Sequence, residues 1–105
     1  MLLMRMIYNL IENAINYGIN GGCVWINLIK NQKNTDIIIK DNGIGIEKEH
    51  LDKIWNRFYR VDKSRSAGEG FGLGLSMVRF IVDIHGGSIA VKSKPGYGTT
   101  FTVSL

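Results

Sequence analysis

The sequence contains one cysteine, one proline and no long apolar run. The single cysteine, Cys23, excludes an intramolecular disulfide and any cysteine-cluster metal site. We expect no redox chemistry from it and interpret it as a small, buried apolar residue at the start of a strand. No stretch approaches the roughly 20 apolar residues that a membrane-spanning helix needs, and residues 1–4 lack the length and flanks of a signal peptide. These absences predict a cytoplasmic chain, or the cytoplasmic part of a larger protein, without direct membrane contact.

The length and the net charge further restrict the number of domains and the kinds of partner. A chain of 105 residues fits one domain, residues 1–105, near the lower end of sizes that bury a self-sufficient core. The net charge of +4 is compatible with nucleic acid, but the basic residues are dispersed except for Arg57, Arg60, Lys63 and Arg65. Aromatic residues do not interleave with these as a stacking platform requires. We therefore expect no nucleic-acid partner, and the basic cluster is either a solvated surface or a site for an anion.

The spacing of apolar residues predicts a helix, two strands, a helix, a long loop, a helix and two strands. This order implies an α+β two-layer sandwich, in which helices cover one face of a mixed, mainly antiparallel sheet. The long loop, residues 56–71, is a candidate lid or binding element, because such loops are uncommon in compact domains. The predicted helices are 3–17, 47–55 and 73–84, and the predicted strands are 23–29, 35–40, 88–92 and 99–105.

The first predicted helix carries a stripe of asparagines. Its apolar residues share one face, and Asn9, Asn13 and Asn16 fall opposite them. The residues of the apolar face are Leu3, Ile7, Leu10, Ile11 and Ala14. Asparagine is a poor helix former because its amide competes for backbone partners. Either the stripe is a solvated face that reflects genomic base composition, or Asn9 and Asn13, one turn apart, direct their amide oxygens at one point. Mg²⁺ binds oxygen ligands while keeping several waters, so the second alternative predicts a magnesium site.

Glycine is concentrated in two segments. Residues 41–46, Asp-Asn-Gly-Ile-Gly-Ile, follow a predicted strand, and Asn-Gly is a strong hairpin signal. The residues after them have helical composition, so the segment is a plain connector or the floor of a pocket, and taken alone it favours the connector. Residues 68–75, Gly-Glu-Gly-Phe-Gly-Leu-Gly-Leu, place alternate glycines before a helix, where backbone N–H groups favour phosphate. Their spacing matches neither the dinucleotide fingerprint nor the P-loop.

These weak signals are consistent with one another. An aspartate that ends a buried strand, Asp41, can accept a hydrogen bond from the exocyclic amino group of adenine, which guanine lacks at that position. The sequence also offers asparagine amides for a metal ion, arginines for phosphates and a glycine-rich lid. Together they describe a nucleoside triphosphate site distributed along the whole chain.

At these residues the sequence resembles the catalytic, ATP-binding domain of sensor histidine kinases, a member of the superfamily that includes gyrase, the heat-shock chaperone ATPases and the mismatch-repair ATPases. The resemblance covers essentially the whole chain, because the motifs occur in the family's order. It implies the Bergerat-type ATP-binding fold, with ATP and Mg²⁺ as ligands. Residues 9–17 resemble the family's N box, 41–45 its G1 box, 54–60 its F box, 70–75 its G2 box, and 85–89 with 96–101 its closing hairpin.

The resemblance also implies roles for individual residues. Asn13 is the Mg²⁺ ligand with Asn9 beside it, Tyr17 stacks on adenine, and Asp41 binds its amino group. Arg60 reaches the phosphates. Gly43 and Gly45 let the chain pass close to the base; Gly70, Gly72 and Gly74 form the hinge and phosphate-facing turn of the lid; Ile46, Tyr59, Leu73 and Leu75 complete the nucleotide site. The plainer interpretations are that Phe58 and Trp55 only pack the lid, that Lys63 and Arg65 are solvated, and that His85 is a helix-end residue.

Three positions bear on the reaction. Asn16 stands where the family commonly has a basic residue that reaches phosphate, so one contact is absent or is supplied by Arg57 or Lys63. Phe71 replaces the small hydroxyl residue usual in the G2 box. The superfamily's ATPases and anti-sigma serine kinases have glutamate at the position of Asn9, and an amide cannot act as a general base. Asn9 therefore favours phosphoryl transfer to an imidazole, which is already nucleophilic, over hydrolysis.

Parts of a complete kinase are missing from the sequence. Neither His50 nor His85 resembles the family's phosphoacceptor site, so the resemblance implies a histidine on a separate dimerisation domain and a response regulator downstream. The family also has a strand before the N-box helix, in which this chain opens. We therefore expect an excised or incomplete chain whose sheet lacks its N-terminal edge strand, with weakened stability and association through the exposed edge. A domain that binds ATP as a regulator, without transfer, is the alternative.

Overall fold

Two helices and a four-stranded sheet make up the part of the chain that the structure describes. The structure is a computed structural model, and it describes residues 2–56 and 74–105. In chain order the elements are α1 (Leu2–Asn16), β1 (Val24–Lys30), β2 (Thr35–Asp41), a short 3-10 helix (Lys48–His50), α2 (Gly74–Ile84), β3 (Ser88–Lys94) and β4 (Gly98–Ser104). The predicted lid, residues 56–71, lies almost entirely outside the described residues.

The sheet has the strand order β1-β2-β4-β3, and each neighbouring pair is antiparallel. This confirms the predicted α+β architecture and the predicted closing hairpin, which is β3 with β4. Where a mixed sheet was expected, all the pairings among the described strands are antiparallel. Opposite residues in antiparallel pairs project to the same face, so Ile39 lies in one row with Ile26 of β1 and Phe101 of β4. Among the strands, α1 lies closest to β2 and α2 lies closest to β3.

The hydrophobic core lies between the helices and the central strands. Periodicity explains α1: Leu10 and Ala14 of the predicted apolar face are buried, and Leu3, Ile7 and Ile11 pack at its margin. Met6, which the predicted face left out, is also fully buried. Full burial of such a side chain stabilises the fold by about 1.5–3 kcal/mol. The buried core residues are Met6, Leu10, Ala14, Ile37, Ile39, Ile46, Ile54, Val78, Ile81, Val82, Phe101 and Val103.

The predicted helix at 47–55 is wrong in type. Only Lys48–His50 forms a short 3-10 helix, and turns follow it as far as residue 55. Most of its backbone hydrogen bonds span three residues, as from Lys53 N–H to the carbonyl of His50 at 2.9 Å. These turns deliver Ile54 and Trp55 to the core, where Trp55 meets Phe101 edge to face at 5.9 Å. Packing of these two side chains overrides the helical composition of the segment.

The expectation of a buried Cys23 is also wrong, because its thiol is free and exposed. Cys23 precedes β1, an edge strand of the sheet whose residues are mostly exposed. Its backbone N–H donates to Asn42 Oδ1 at 2.8 Å, so the residue is tied to the end of β2 through its main chain and not through burial. Within residues 2–56 and 74–105, neither helix is long and apolar enough to cross a membrane.

Candidate functional site

The candidate site centres on Asp41, the last residue of β2. Asp41 is one of two buried polar residues in the described core, with 5 % of its surface exposed. Its Oδ1 accepts the backbone N–H of Gly43 at 2.9 Å, and a second backbone donor comes from Thr99. Burial raises the pKa of the carboxyl above its ordinary value, and the two backbone donors oppose that rise. The fold therefore holds a desolvated carboxylate that has accepting capacity left for a ligand.

Backbone hydrogen bonds fix the loop after Asp41 between two distant parts of the fold. Ile44 N–H donates to the carbonyl of Tyr17, just past α1, at 3.1 Å. The carbonyl of Ile44 accepts from Gly96 N–H, in the turn between β3 and β4, at 2.8 Å. The loop thus crosses from the end of α1 to the β3–β4 hairpin and does not return as a neighbouring strand. The loop joins a strand to a helical turn, and its fixed geometry suits the pocket floor that the resemblance implies.

Ser93 of β3 closes the far end of the loop. Its hydroxyl accepts the backbone N–H of Ile46 at 2.7 Å and donates to the carbonyl of Gly98 at 3.0 Å. It also lies 2.8 Å from the hydroxyl of Thr99, the other buried polar residue. One hydroxyl therefore joins the loop to both strands of the closing hairpin.

Two glycines beside Asp41 are required by close backbone contacts. A Cβ at Gly43 would collide with the carbonyl oxygen of Tyr17. A Cβ at Gly98 would collide with the carbonyl oxygen of Asp41, and Gly98 also has a φ of 126°, which side chains rarely tolerate. The floor around Asp41 is consequently built from backbone, with no room for additional side chains.

The predicted metal and base-stacking residues lie along the last turns of α1. Asn9 and Asn13 are half-buried on α1, one turn apart, and Tyr17, also half-buried, follows the helix. The structure links this end of α1 to the Asp41 loop through the Tyr17 carbonyl. Glu12, between the two asparagines, is engaged by Tyr8: a hydrogen bond to its carboxylate and the carboxylate charge raise the Tyr8 pKa above 10.0.

The remaining predicted residues divide into two groups. Ile46 is buried, Gly45 has a φ of 76° in the loop, and Leu75 packs at the core margin. Gly74 begins α2, and a Cβ built there meets no atom of the described residues within 4 Å. The others lie outside the described residues: Tyr59, Arg60, Gly70, Gly72 and Leu73, together with Arg57, Phe58, Lys63, Arg65 and Phe71. Within the described ranges, no three His, Cys, Asp or Glu side chains group in a way that could hold a metal ion.

Two of the plainer interpretations were tested by the structure. His85 is a helix-end residue, because its Nδ1 lies 2.7 Å from the carbonyl of Ile81 in the last turn of α2. Trp55 was interpreted as lid packing, but it packs against Phe101 of the core, and the Arg79 guanidinium lies 5.6 Å from its ring centre.

Sequence reasoning missed the residues that hold the loop in place. Asn42 joins the end of β2 to the start of β1 through its side chain. Ser93, Gly98 and Thr99 reach the loop from the other end of the chain, and the sequence predicted Gly98 and Thr99 only as part of the closing hairpin. The motif at residues 96–101 is the one signal that could have pointed to them.

Comparison with known proteins agrees with this architecture. A family model described as histidine kinase-, DNA gyrase B-, and HSP90-like ATPase matches residues 1–105. Sensor-like histidine kinase SenX3 from Mycolicibacterium smegmatis is 47% identical over 105 residues, covering 99% of this chain and 27% of that protein. Sensor protein SrrB from Staphylococcus aureus is 44% identical over 102 residues, covering 96% of this chain and 18% of that protein.

Solved structures give the same result. The mycobacterial sensor histidine kinase MprB superposes with a TM-score of 0.84 at 30% identity, covering 99% of this chain and 71% of that one. The chain spans 27% and 18% of the length of the two curated relatives. Those relatives are therefore longer proteins with further segments.

Proposed function

The chain belongs to the histidine kinase-, DNA gyrase B- and HSP90-like ATPase family, and from this premise we propose that it is the single ATP-binding catalytic domain of a sensor histidine kinase. In this proposal it binds Mg²⁺–ATP and donates the γ-phosphoryl group to a histidine on a separate dimerisation domain. A response regulator then receives the phosphoryl group. The reaction takes place in the cytoplasm, where the domain can belong to a membrane-anchored sensor.

The buried carboxylate of Asp41 is the observation that carries the proposal. A desolvated carboxylate is costly unless it is hydrogen-bonded, and the backbone donors of Gly43 and Thr99 supply only part of its bonding capacity. The exocyclic amino group of adenine would supply a further donor. Guanine presents a carbonyl at that position, which would face the carboxylate without a hydrogen, so we expect the site to select adenine.

The base and the metal would lie on either side of the α1 end. Tyr17 would stack on adenine, and Gly43 and Gly45 would let the loop backbone approach the base, with Ile46 behind it. The Asn13 amide oxygen, with Asn9 beside it, would take one coordination position of Mg²⁺, which fits an ion that keeps waters and phosphate oxygens as its other ligands. When bound, Mg²⁺ neutralises charge on the phosphates.

The phosphates would be held by residues of the predicted lid. Arg60 and Tyr59, with Gly70, Gly72, Leu73, Gly74 and Leu75, would close over the triphosphate. The first residues of α2 would direct backbone N–H groups at phosphate oxygens. Asn16 would give no charged contact, so we expect weaker ATP binding than in an Asn16→Lys variant.

Transfer needs no general base on this chain. The acceptor imidazole nitrogen forms the new P–N bond while the bond from the γ-phosphorus to the bridging oxygen breaks, and ADP leaves. Asn9 stands near the phosphates without a carboxylate, and the neighbouring Glu12 is engaged by Tyr8. The chain's contribution is therefore positioning and charge stabilisation.

Competition binding tests the nucleotide site. A fluorescent ATP analogue should be displaced by ATP but not by GTP or by an oligonucleotide. Binding should be lost in Asp41→Asn and kept in Asp52→Asn, which removes an exposed carboxylate from the turn after the 3-10 helix. Equal displacement by GTP, or full binding by Asp41→Asn, would contradict the role of Asp41.

A second assay separates transfer from regulatory ATP binding. Radiolabelled ATP is mixed with the chain and a separately expressed dimerisation domain of a sensor kinase. Acid-labile, base-stable label on that domain supports the kinase, whereas tight ATP binding without label supports the regulator. Replacement of the acceptor histidine by alanine is the control.

A further inference from the structure

The outer face of the sheet, which is the face turned away from the two helices, carries three lysines. Strand alternation puts Phe101 among the core residues on the helix side and the neighbouring Thr100 on the outer side. Lys40 of β2 and Lys92 of β3 are both register partners of Thr100, so these side chains form one row across the outer face. Lys94 stands two residues beyond Lys92 and projects to the same face. We call Lys40, Lys92 and Lys94 the lysine cluster.

The fold brings these three charges together although they are dispersed in the sequence. From the spacing of strands and of residues along a strand, the Lys40 and Lys92 backbones lie about 10 Å apart and those of Lys92 and Lys94 about 7 Å apart. The Debye length is about 10 Å at 0.1 M ionic strength, so salt screens the repulsion between these charges only in part. A negatively charged group held between them would offset that repulsion.

The described strands supply little counter-charge near the lysine cluster. Within the described residues, no ion pair involves its three ammonium groups. Asp36 shares the outer face, but it stands four residues from Lys40, which is about 13 Å along a strand, and it accepts the Ser104 hydroxyl at 2.7 Å. Asp41 ends the same strand, but its buried carboxylate faces the helix side and accepts Gly43 N–H. This end of the outer face is therefore positively charged.

Aromatic rings hold two of the ammonium groups in position. Lys94 Nζ lies 4.4 Å from the ring centre of Tyr97, and Lys40 Nζ lies 5.7 Å from that of Trp25. Contacts at these distances orient a cation without neutralising its charge. A hollow of about 410 Å³, open to solvent, lies between the three lysines, and Thr100 is among the residues that line it. A group that protrudes from a larger partner can enter this hollow.

We propose that the lysine cluster is a docking surface for an acidic segment of a protein partner, in which several carboxylates lie close together. The open hollow suits a small free anion poorly, because single exposed ion pairs contribute little. Its concave floor suits a flat lipid surface poorly. A protein segment can offer carboxylates to all three lysines at once, and complementary charge of this kind speeds association and selects the partner. The inference does not rest on the proposed function, because the lysine cluster and the Asp41 carboxylate lie on opposite faces of the sheet.

Two peptides of equal composition and net charge test this surface. One carries a run of consecutive glutamates, and the other carries the same glutamates at every fourth position, about 13 Å apart when extended. Fluorescence anisotropy of the labelled peptides measures affinity, and amide chemical shifts of the chain locate the contact. The clustered peptide should bind about fivefold more tightly, because it can engage more lysines at once. Its shift changes should be largest at residues 92–100 and at Lys40.

Charge reversal provides the matched control. Lys92→Glu should weaken binding of the clustered peptide about tenfold, because the change removes an attraction and adds a repulsion. Lys33→Glu, in the exposed turn between β1 and β2, changes the net charge by the same amount and should alter the affinity by less than about twofold. Both lysines are exposed, so the circular dichroism spectrum should be the same in the two variants. Whether the chain binds ATP does not enter this comparison.

Several results would overturn the proposal. Equal affinity for the two peptides, or equal weakening by the two variants, would mean that net charge alone explains binding. Shift changes that leave Lys92 and Lys94 unaffected at high peptide concentration would place the contact elsewhere. Sodium triphosphate that binds the chain more tightly than the clustered peptide and displaces it would assign the lysines to a phosphate ligand. Binding to phosphatidylglycerol vesicles that is lost in Lys92→Glu and exceeds peptide binding would assign them to a membrane.

Discussion

Ser93 provides the sharpest test of how the loop after Asp41 is held. A serine hydroxyl has one proton to donate and two lone pairs to accept with. In the structure the proton goes to the carbonyl of Gly98, and one lone pair accepts Ile46 N–H. The proton is then in use, so the Thr99 hydroxyl, 2.8 Å away, must be the donor in their shared bond. Ser93→Ala removes all three bonds at once.

The loss of stability in Ser93→Ala depends on which groups lose a hydrogen-bond partner. Ile46 is 6% exposed and Gly98 is buried. In Ser93→Ala the Ile46 N–H and the Gly98 carbonyl therefore lose the serine hydroxyl as a partner at positions shielded from water. An unsatisfied buried polar group costs about 1–3 kcal/mol, whereas the Thr99 hydroxyl can rotate. Two such groups give a loss of about 2–6 kcal/mol in the free energy of unfolding, a large part of the roughly 5–15 kcal/mol typical of a domain.

Urea unfolding followed by circular dichroism measures this loss. Ser93→Thr keeps a hydroxyl and should recover most of the stability, while Ser88→Ala, on an exposed position of the same strand, should change it by less than about 0.5 kcal/mol. Affinity for the ATP analogue should fall in Ser93→Ala and return in Ser93→Thr. A Ser93→Ala variant as stable as Ser88→Ala would refute the argument that the hydroxyl fixes the loop.

Three further predictions concern the same region. Burial raises the pKa of the Asp41 carboxyl in the folded protein above 3.8. The carboxyl therefore contributes stability that is fully present below pH 3.8 and is lost as the pH rises through the folded pKa. Across that pH range, the urea midpoint of unfolding should fall less steeply in Asp41→Asn than in Asp52→Asn. Gly43→Ala should lower the free energy of unfolding by about 1–3 kcal/mol through overpacking against backbone. Gly74→Ala, whose Cβ would meet no described atom within 4 Å, should cause no measurable change in thermal melting. Exposed Cys23 should react with a thiol reagent in the folded protein as fast as in urea, and slow labelling would contradict its exposure.

Periodicity predicted most of the fold because the amphipathic elements are long enough to show it. The α1 helix and the four strands were found within one residue of their ends, apart from the extension of β3 by two residues to Lys94. The segment 47–55 failed because short helices are marginal without packing. Its composition favoured a helix, but the turns that place Ile54 and Trp55 against the sheet are set by contacts with Phe101, which no local pattern contains.

The candidate site was predictable only where one residue carries its own signal. An acid that follows an apolar strand, as Asp41 does, is visible in the sequence. The residues that hold its loop are not, because Ser93 lies 47 positions from Ile46 and a serine in an alternating strand has many explanations. Burial of Cys23 was predicted from its residue type, and the prediction failed because the strand it precedes lies at the edge of the sheet.

Glycine shows most clearly why the loop could not be interpreted from sequence alone. Asn42-Gly43 indicated a hairpin because both residues tolerate positive φ, yet Gly43 is absent from the described glycines with positive φ, whereas Gly45 has one of 76°. Gly43 is required by the Tyr17 carbonyl lying against its Cα, and that contact exists only once α1 and β2 have packed together. Two different physical demands, conformation and space, select the same residue. The sequence therefore predicts that glycine is needed there, while only the fold shows that the need is for close approach of two backbones beside a buried carboxylate.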